Sequence, residues 1–250
     1  MWRMTIANGD LSGELGEVRA LVFDVFGTVV DWRSGVIREI EGAAASVGAS
    51  VDAGAMADEW RAGYPVAMEQ VRVGELAVQP IDALHRMILD GLLARYGLEG
   101  LSEGARAELN RAWHRLDPWP DVLEGLARLK RRYIIATLSN GNVALLVNMA
   151  RRAGLPWDAV LSAELFGHFK PDPEVYLGAA RLLGLGAGEV MLVAAHPADL
   201  RGAAACGLRT AYVPRALEWG AGGGVRGKRE GDSFDLEVGG FGELAGRLEV

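Results

Sequence analysis

At 250 residues, 50% of them hydrophobic and 24% charged, the chain has ordinary globular composition and is long enough for one large domain or a core plus a smaller one. No apolar run approaches the roughly 18 residues of a membrane span. The net charge of −7, from 26 basic against 33 acidic residues, gives an average field that repels nucleic acid and anionic lipid, so neither is expected as a partner and a small anionic ligand needs local cations.

The opening "MWRMTIANGDLSGELGEV" has neither the basic nor the apolar region of a secretory signal, and Cys206 is the single cysteine. Together they predict a reducing, cytoplasmic setting. The first predicted strand begins near Arg19 and ends at Val22 and Phe23, apolar throughout as in a strand buried on both faces of a parallel sheet, which puts Asp24 at its carboxyl end. From Ser34 to Arg115 the periodicity is helical in "VIREIEGAAASVG", "AGAMADEWRAGYPVAMEQVRVG", "IDALHRMILDGLLARYG" and "SEGARAELNRAWHRL", with no strand-like run. After the Pro-punctuated "DPWPD" the pattern alternates: helix 121–131, strand "YIIATLS", helix 142–153, strand "AVLSA", helix 173–184, strand "EVMLVAA", helix 198–206 and strand "RTAYVP". "WGAGGGVRGKREGDS" has the composition of a mobile loop, and a short strand near "FDLEV" and a terminal helix follow. The alternation predicts an α/β fold: a Rossmann-like doubly wound parallel sheet from residues 16–33 and 116–250, with residues 34–115 inserted as a helical cap over the carboxyl ends of the strands.

Open α/β sheets bind ligands at those strand ends. The crevice would collect Asp24 and Thr28 from the first strand, Ser139 and Asn140 after "YIIATL", Lys170 before "PDPEVY", and His196 and Asp199 after "VMLVAA". Singly, each has an ordinary structural use: a strand-end Asp forms turns, a Ser-Asn pair caps a helix, a Lys before Pro is solvated. Together they offer nucleophile, hydroxyl, cation and second carboxylate.

The segments "FDVFGTVVD", "LSN", "KPDPEVY" and "VAAHPADLRGAAACGLRTAYV" follow the order of the four motifs of the haloacid dehalogenase superfamily, which the chain resembles over roughly residues 19–215. The resemblance implies that Asp24 is a nucleophile, that Ser139 and Lys170 hold the reacting group, and that Asp199 belongs to the fourth motif. Most of the superfamily are magnesium-dependent phosphatases whose first motif is Asp-x-Asp. This chain has Phe26 in place of the second acid, and a phenyl ring cannot shuttle a proton. Where the phosphatases supply several carboxylates for the hard Mg²⁺ ion, "AAHPADL" offers Asp199 beside an imidazole. Neither a metal nor another cofactor is expected.

A carboxylate nucleophile without phosphoryl-transfer apparatus suits displacement at carbon, because halide departs without needing a proton. The resemblance thus narrows to the type II, or (S)-2-haloacid, dehalogenases, which have an aromatic residue two after the nucleophile and a Trp-Arg pair on a cap helix. The pair here is in "DEWRAGY", which gives Arg61 the halide- and carboxylate-binding role. On this resemblance Asp24 attacks C2 of a small 2-haloacid opposite the halogen, inverting that carbon and forming an ester. Lys170 keeps Asp24 ionised. Arg61 and Asn140 receive the halide, while Ser139 and the backbone N–H groups near Val25 and Phe26 bind the substrate carboxylate or the developing oxyanion. Asp199 is the first candidate to activate the ester-cleaving water and His196 the second; His196 is equally a candidate halide donor. Tyr176 supports the lysine or the nucleophile, and Phe26, Trp60, Tyr64 and Trp119 are candidates for an apolar halogen pocket.

The fourth motif departs from the dehalogenase pattern of Ser-Ser-Asn followed by Trp and Asp, having Ala194, Ala195, His196, Pro197, Ala198 and Asp199. Two further readings stay open: a phosphatase of the same superfamily with an atypical Mg²⁺ site built on Asp199 and water, and a non-enzymatic binder of a small anion. The resemblance also allows a homodimer through cap or core helices, for which residues 80–95 offer apolar positions.

Overall fold

The computed structural model of the chain describes residues 17–250. The segment read for a secretory signal lies almost wholly outside the described residues. Six strands, β1 (Ala20–Phe23), β4 (Ile134–Ser139), β5 (Ala159–Ser162), β6 (Val190–Ala194), β7 (Arg209–Tyr212) and β8 (Leu236–Glu237), form one sheet in the order β5-β4-β1-β6-β7-β8. Every pairing in it is parallel. From β1 the chain builds outward through β4 to β5, then returns to β6 on the other side, so the order reverses at β1. That switch point is where an open α/β sheet leaves a crevice at its carboxyl edge.

All four residues of β1 are buried, and they alternate between two apolar clusters. Leu21 and Phe23 face the layer of α5 (Val122–Leu129), α6 (Val143–Ala153) and α9 (Phe241–Arg247). Ala20 and Val22 face α7 (Pro173–Leu182) and α8 (Pro197–Ala205). This period of two, with a helical layer on each face, explains the unbroken apolar run. Each such buried Val, Leu or Phe contributes about 1.5–3 kcal/mol.

Between β1 and β4 lie α1 (Trp32–Ser46), α2 (Ala53–Arg72), α3 (Ile81–Leu93) and α4 (Glu103–Asn110). Asp31, Asp52 and Ser102 cap α1, α2 and α4 by accepting the backbone N–H groups of Ser34, Ala55 and Ala105. Two short strands absent from the sequence expectation, β2 (Val30–Asp31) and β3 (Asp117–Pro118), pair antiparallel at the base of this block. The chain therefore enters and leaves the helices at one place. From β4 onward strand and helix ends lie within about two residues of expectation, whereas α1 begins four residues before "VIREIEGAAASVG", α3 ends four residues short of "IDALHRMILDGLLARYG" and α4 stops at Asn110, six short of "SEGARAELNRAWHRL". Among the described residues no helix is long and apolar enough to cross a membrane.

Candidate active site

Asp24 leaves β1 with its backbone N–H donated to the Val193 carbonyl (3.0 Å). The chain then turns back on itself through Gly27, at φ +84°, and Val29 donates to the Val25 carbonyl (2.9 Å). Gly27 is required twice over: the left-handed backbone disfavours a side chain, and a methyl there would overlap the Glu218 carboxylate. The turn is held from outside by the Trp119 indole N–H on the Gly27 carbonyl (2.9 Å) and the Arg215 Nε on the Thr28 carbonyl (3.0 Å). It delivers the Thr28 hydroxyl to Asp24 Oδ2 (2.7 Å), while the same hydroxyl oxygen accepts the Ala195 N–H (2.8 Å).

Lys170, on the loop before α7, reaches under the sheet edge. Its ammonium donates to Asp24 Oδ1 (3.0 Å), to the Leu138 carbonyl (2.8 Å) and to Asp199 Oδ2. The Tyr176 hydroxyl, on α7, donates to the other oxygen of Asp199 (2.6 Å). Tyr176 thus supports the lysine's second partner rather than the lysine or the nucleophile directly. Asn140 orders the Lys170 loop, since its Oδ1 accepts the Lys170 backbone N–H (2.7 Å). Ser139 accepts the Gly141 N–H (3.1 Å), which leaves its hydroxyl proton free to donate.

His196 is the N-cap of α8, with Pro197 at the first helical position. Its ring lies between two carboxylates: Nδ1 is 3.0 Å from Asp24 Oδ2, and Nε2 is 3.0 and 3.1 Å from the two oxygens of Glu218. Glu218 is 5% exposed and also accepts the Trp32 indole N–H (3.1 Å).

These contacts fix the charges. Burial alone would raise the Asp24 carboxyl, but the Lys170 ammonium, His196 and Thr28 hold it well below the usual carboxylate range. Burial would lower Lys170, yet Asp199 and Asp24 hold it above an ordinary lysine. Burial likewise works against the His196 cation, and the hydrogen bonds to Asp24 and Glu218 outweigh it, pushing the imidazole up to about 10. Glu218 is depressed: burial would raise it, and His196, Arg61 and Trp32 prevail. Asp199 is raised, because burial and the neighbouring Asp24 charge outweigh Lys170. Of the two carboxylates on Lys170, Asp199 is therefore the one poised to take a proton.

A cavity of about 370 Å³ opens over this cluster, lined by Asp24, Phe26, Ser139, Asn140, Lys170, Tyr176, His196 and Asp199 from the sheet side and by Arg61, Tyr64 and Met68 from α2. The residues named from the sequence for catalysis and for substrate and halide binding thus meet in one place, with Thr28 just behind Asp24. Arg61 lays its guanidinium over the rings of Trp32 (5.7 Å) and Tyr64 (4.9 Å). Phe26 packs its ring edge-on to Trp113 (5.9 Å). Two proposed walls of an apolar pocket are elsewhere. Trp60 is wholly buried and donates to the His85 carbonyl (2.9 Å), and Trp119 braces the Gly27 turn. Trp60 adjoins Arg61, so on a helix it points about 100° away from it. Trp219 lines the cavity instead, packed edge-on to Trp32 (5.2 Å). The glycine-rich segment read as a mobile loop is thus anchored at its first residue.

Glu218 and Trp219 escaped sequence reasoning. The usable signal was their place just after the carboxyl end of β7, which the parallel-sheet rule puts on the ligand side. A divalent ion of the kind the superfamily's phosphatases hold does not fit these residues. The Lys170 ammonium lies between Asp24 and Asp199, His196 lies between Asp24 and Glu218, and no group of three or more His, Cys, Asp or Glu residues among those described has the arrangement to hold a metal ion.

A family model described as haloacid dehalogenase-like hydrolase matches residues 18–207. The chain is 36% identical over 203 residues to (S)-2-haloacid dehalogenase 4A of Burkholderia cepacia, covering 79% of this chain and 84% of the relative. Among solved structures, it resembles the L-2-haloacid dehalogenase PA0810 with TM-score 0.87 and 46% identity over 93% of this chain and 99% of that one. It resembles the defluorinating L-2-haloacid dehalogenase Rha0230 with TM-score 0.88 and 43% identity over 93% and 96%.

Proposed function

The chain belongs to the haloacid dehalogenase-like hydrolase family, and within it we propose that this site hydrolyses (S)-2-haloalkanoic acids without a metal, through an ester on Asp24 and with inversion at C2. The enzyme is a hydrolase of carbon–halogen bonds, an activity supported by relatives named for it over most of the chain. The observation that carries the reading is an Asp24 held ionised by Lys170 with the Phe26 ring two residues on. Such a site offers a nucleophile but, at Phe26, not the second aspartate that the phosphatases use to protonate a leaving oxygen, which fits a leaving group that needs no proton.

In this proposal Asp24 attacks C2 from the face opposite the halogen. Arg61, whose cation rests on two aromatic faces, receives the halide together with the Asn140 amide N–H. Ser139 and the backbone N–H groups near Val25 and Phe26 hold the substrate carboxylate. Asp199 takes a proton from the water that cleaves the ester. The helical segment of residues 34–115 acts as the cap that closes the cavity and excludes other water. A cytoplasmic setting and a homodimer belong to the same proposal; the lone Cys206 is free, and α3 exposes the apolar Met87.

The test is halide release from each enantiomer of 2-chloropropionate, with and without EDTA, beside a generic phosphate ester. The expected result is EDTA-resistant release from the (S) form alone, yielding (R)-lactate. Magnesium-dependent phosphate release without halide would overturn the proposal.

A further inference from the structure

The hydrogen bonds on Asp24 are uneven. A carboxylate oxygen has about two in-plane acceptor sites. Both on Oδ2 are taken, by the Thr28 hydroxyl and His196 Nδ1, whereas Oδ1 holds the Lys170 ammonium alone. Oδ1 therefore keeps a lone pair for the substrate carbon. Once the ester has formed on Oδ1, Oδ2 is its carbonyl oxygen and still faces two donors. The His196 ring cannot be satisfied while neutral, because each nitrogen meets a group that only accepts. Glu218, buried behind it and fixed by Trp32, is the reason.

Resting on the dehalogenase reading above, we propose that His196 and Thr28 form the oxyanion hole for hydrolysis of the Asp24 ester, and that Glu218 is a positioning residue that keeps the His196 donor aimed at Oδ2. Water adds to Cγ of Asp24, giving one proton to Asp199, and the C=O electron pair moves onto Oδ2 between the Thr28 O–H and the His196 N–H. On collapse the pair returns, the Cγ–Oδ1 bond breaks, and Oδ1 leaves on C2 of the product. That oxygen takes a proton from Lys170 and becomes the 2-hydroxyl, and Lys170 is reprotonated by Asp199. The second proton of the water is lost from the regenerated Asp24 carboxyl to solvent. His196 thus works in the second half of the reaction, and the departing halide, on the far side of C2 from Asp24, is left to Arg61 and Asn140.

The charged groups around His196 are Asp24 from β1, Glu218, Arg215 and Arg226 from the segment after β7, Arg61 from α2, and Lys170 and Asp199 across Asp24. Of these only Asp24 and Glu218 bond the ring.

The experiment is rapid-quench turnover of (S)-2-chloropropionate and (S)-2-bromopropionate by wild type, Glu218→Gln and His196→Gln, with intact-protein mass. Glu218→Gln keeps the side-chain volume and an acceptor for Trp32. Both variants should release one halide per site in a burst, then turn over about 10²–10³ times more slowly for His196→Gln, the usual loss for one oxyanion donor. They should carry one propionate unit on Asp24, with the same slow rate for chloride and bromide because the ester is the same. In the adduct Asp24 is an uncharged ester, so Glu218 is the carboxylate that keeps His196 protonated; decay of the isolated wild-type adduct should slow at the alkaline pH where His196 loses its proton, and in Glu218→Gln that fall should move to lower pH. A merely structural glutamate would leave it in place. No adduct and a slowed burst, worse for chloride than bromide, would overturn the inference and put His196 at the leaving group. An unmoved pH fall in Glu218→Gln would overturn the role of Glu218. A wild type that releases no halide from either acid would instead overturn the dehalogenase reading itself.

Discussion

Two histidines are each held between polar side chains, and they do opposite things. His196 faces Asp24 and Glu218, two carboxylates that only accept. His114, on the turn after α4, faces Asp82 of α3 (2.9 Å) on one nitrogen and the Asn148 amide of α6 (3.0 Å) on the other. A neutral ring satisfies the second pair, donating to the carboxylate and accepting from the amide. The first pair demands a cation. His114 lies outside the cavity, in a network where Asn142 and Asn110 also bond Asp82. That network ties the helical block to the sheet layer. Hydrogen-bonding capacity of the partners, rather than burial or residue type, separates a structural imidazole from one that can stabilise a developing charge.

Asp24→Asn breaks this comparison most severely, because it gives His196 the amide-and-carboxylate pair that His114 has. With the nucleophile gone, halide release should fall by about 10⁴ or more, the scale of nucleophile deletions. Measured release within about tenfold of wild type would mean that the chemistry is elsewhere. Lys170→Met comes next. It removes the cation that holds both Asp24 and Asp199, and release should drop by about 10²–10³. Its sharper signature is in pH: the Asp24 carboxyl, now buried without its largest opposing charge, must rise. The acid limb of the rate profile should move toward neutral, and a limb that stays in place would show that Lys170 does not set the Asp24 charge.

The charge on His196 should also appear in stability. Its folded-state value is raised from 6.5 to about 10, so its contribution is complete below the ordinary histidine range and is lost as pH rises toward about 10. The urea midpoint of wild type should fall across that window, and His196→Gln should flatten the slope. An equal slope in both proteins would mean that another group is responsible.

Much of this site was legible because parallel sheets expose strand ends in a fixed place. Asp24 and Ser139 stand where apolar runs stop, the roles of Lys170 and Asp199 came from resemblance to the superfamily's motifs, and the cavity contains all four. The sheet and the four-helix insert followed from periodicity. Strands of two residues, such as β2 and β3, carry no period and were invisible. Glu218 was missed for a different reason: it follows a strand in a stretch without regular pattern, and its partner is 22 positions back in the chain. Trp60 adjoins Arg61 in sequence but not at the cavity, because neighbours on a helix point about 100° apart.

The smallest expected effect on turnover is the most direct test of the contrast. His114→Phe removes both bonds of the structural histidine and leaves Asp82 with its asparagine partners, so urea unfolding should show a loss of about 1–3 kcal/mol, as for a buried polar group stripped of a partner. Halide release should stay within about threefold, below 1 kcal/mol of barrier. Asn142 links Asp82 to the stretch that begins at Ser139, so any change in activity would have a route to the cavity. A tenfold loss with (S)-2-chloropropionate would show that the network positions Asn140 as well as joining the two layers. The two histidines would then be parts of one machine, one making the charge and the other holding the wall against which it acts.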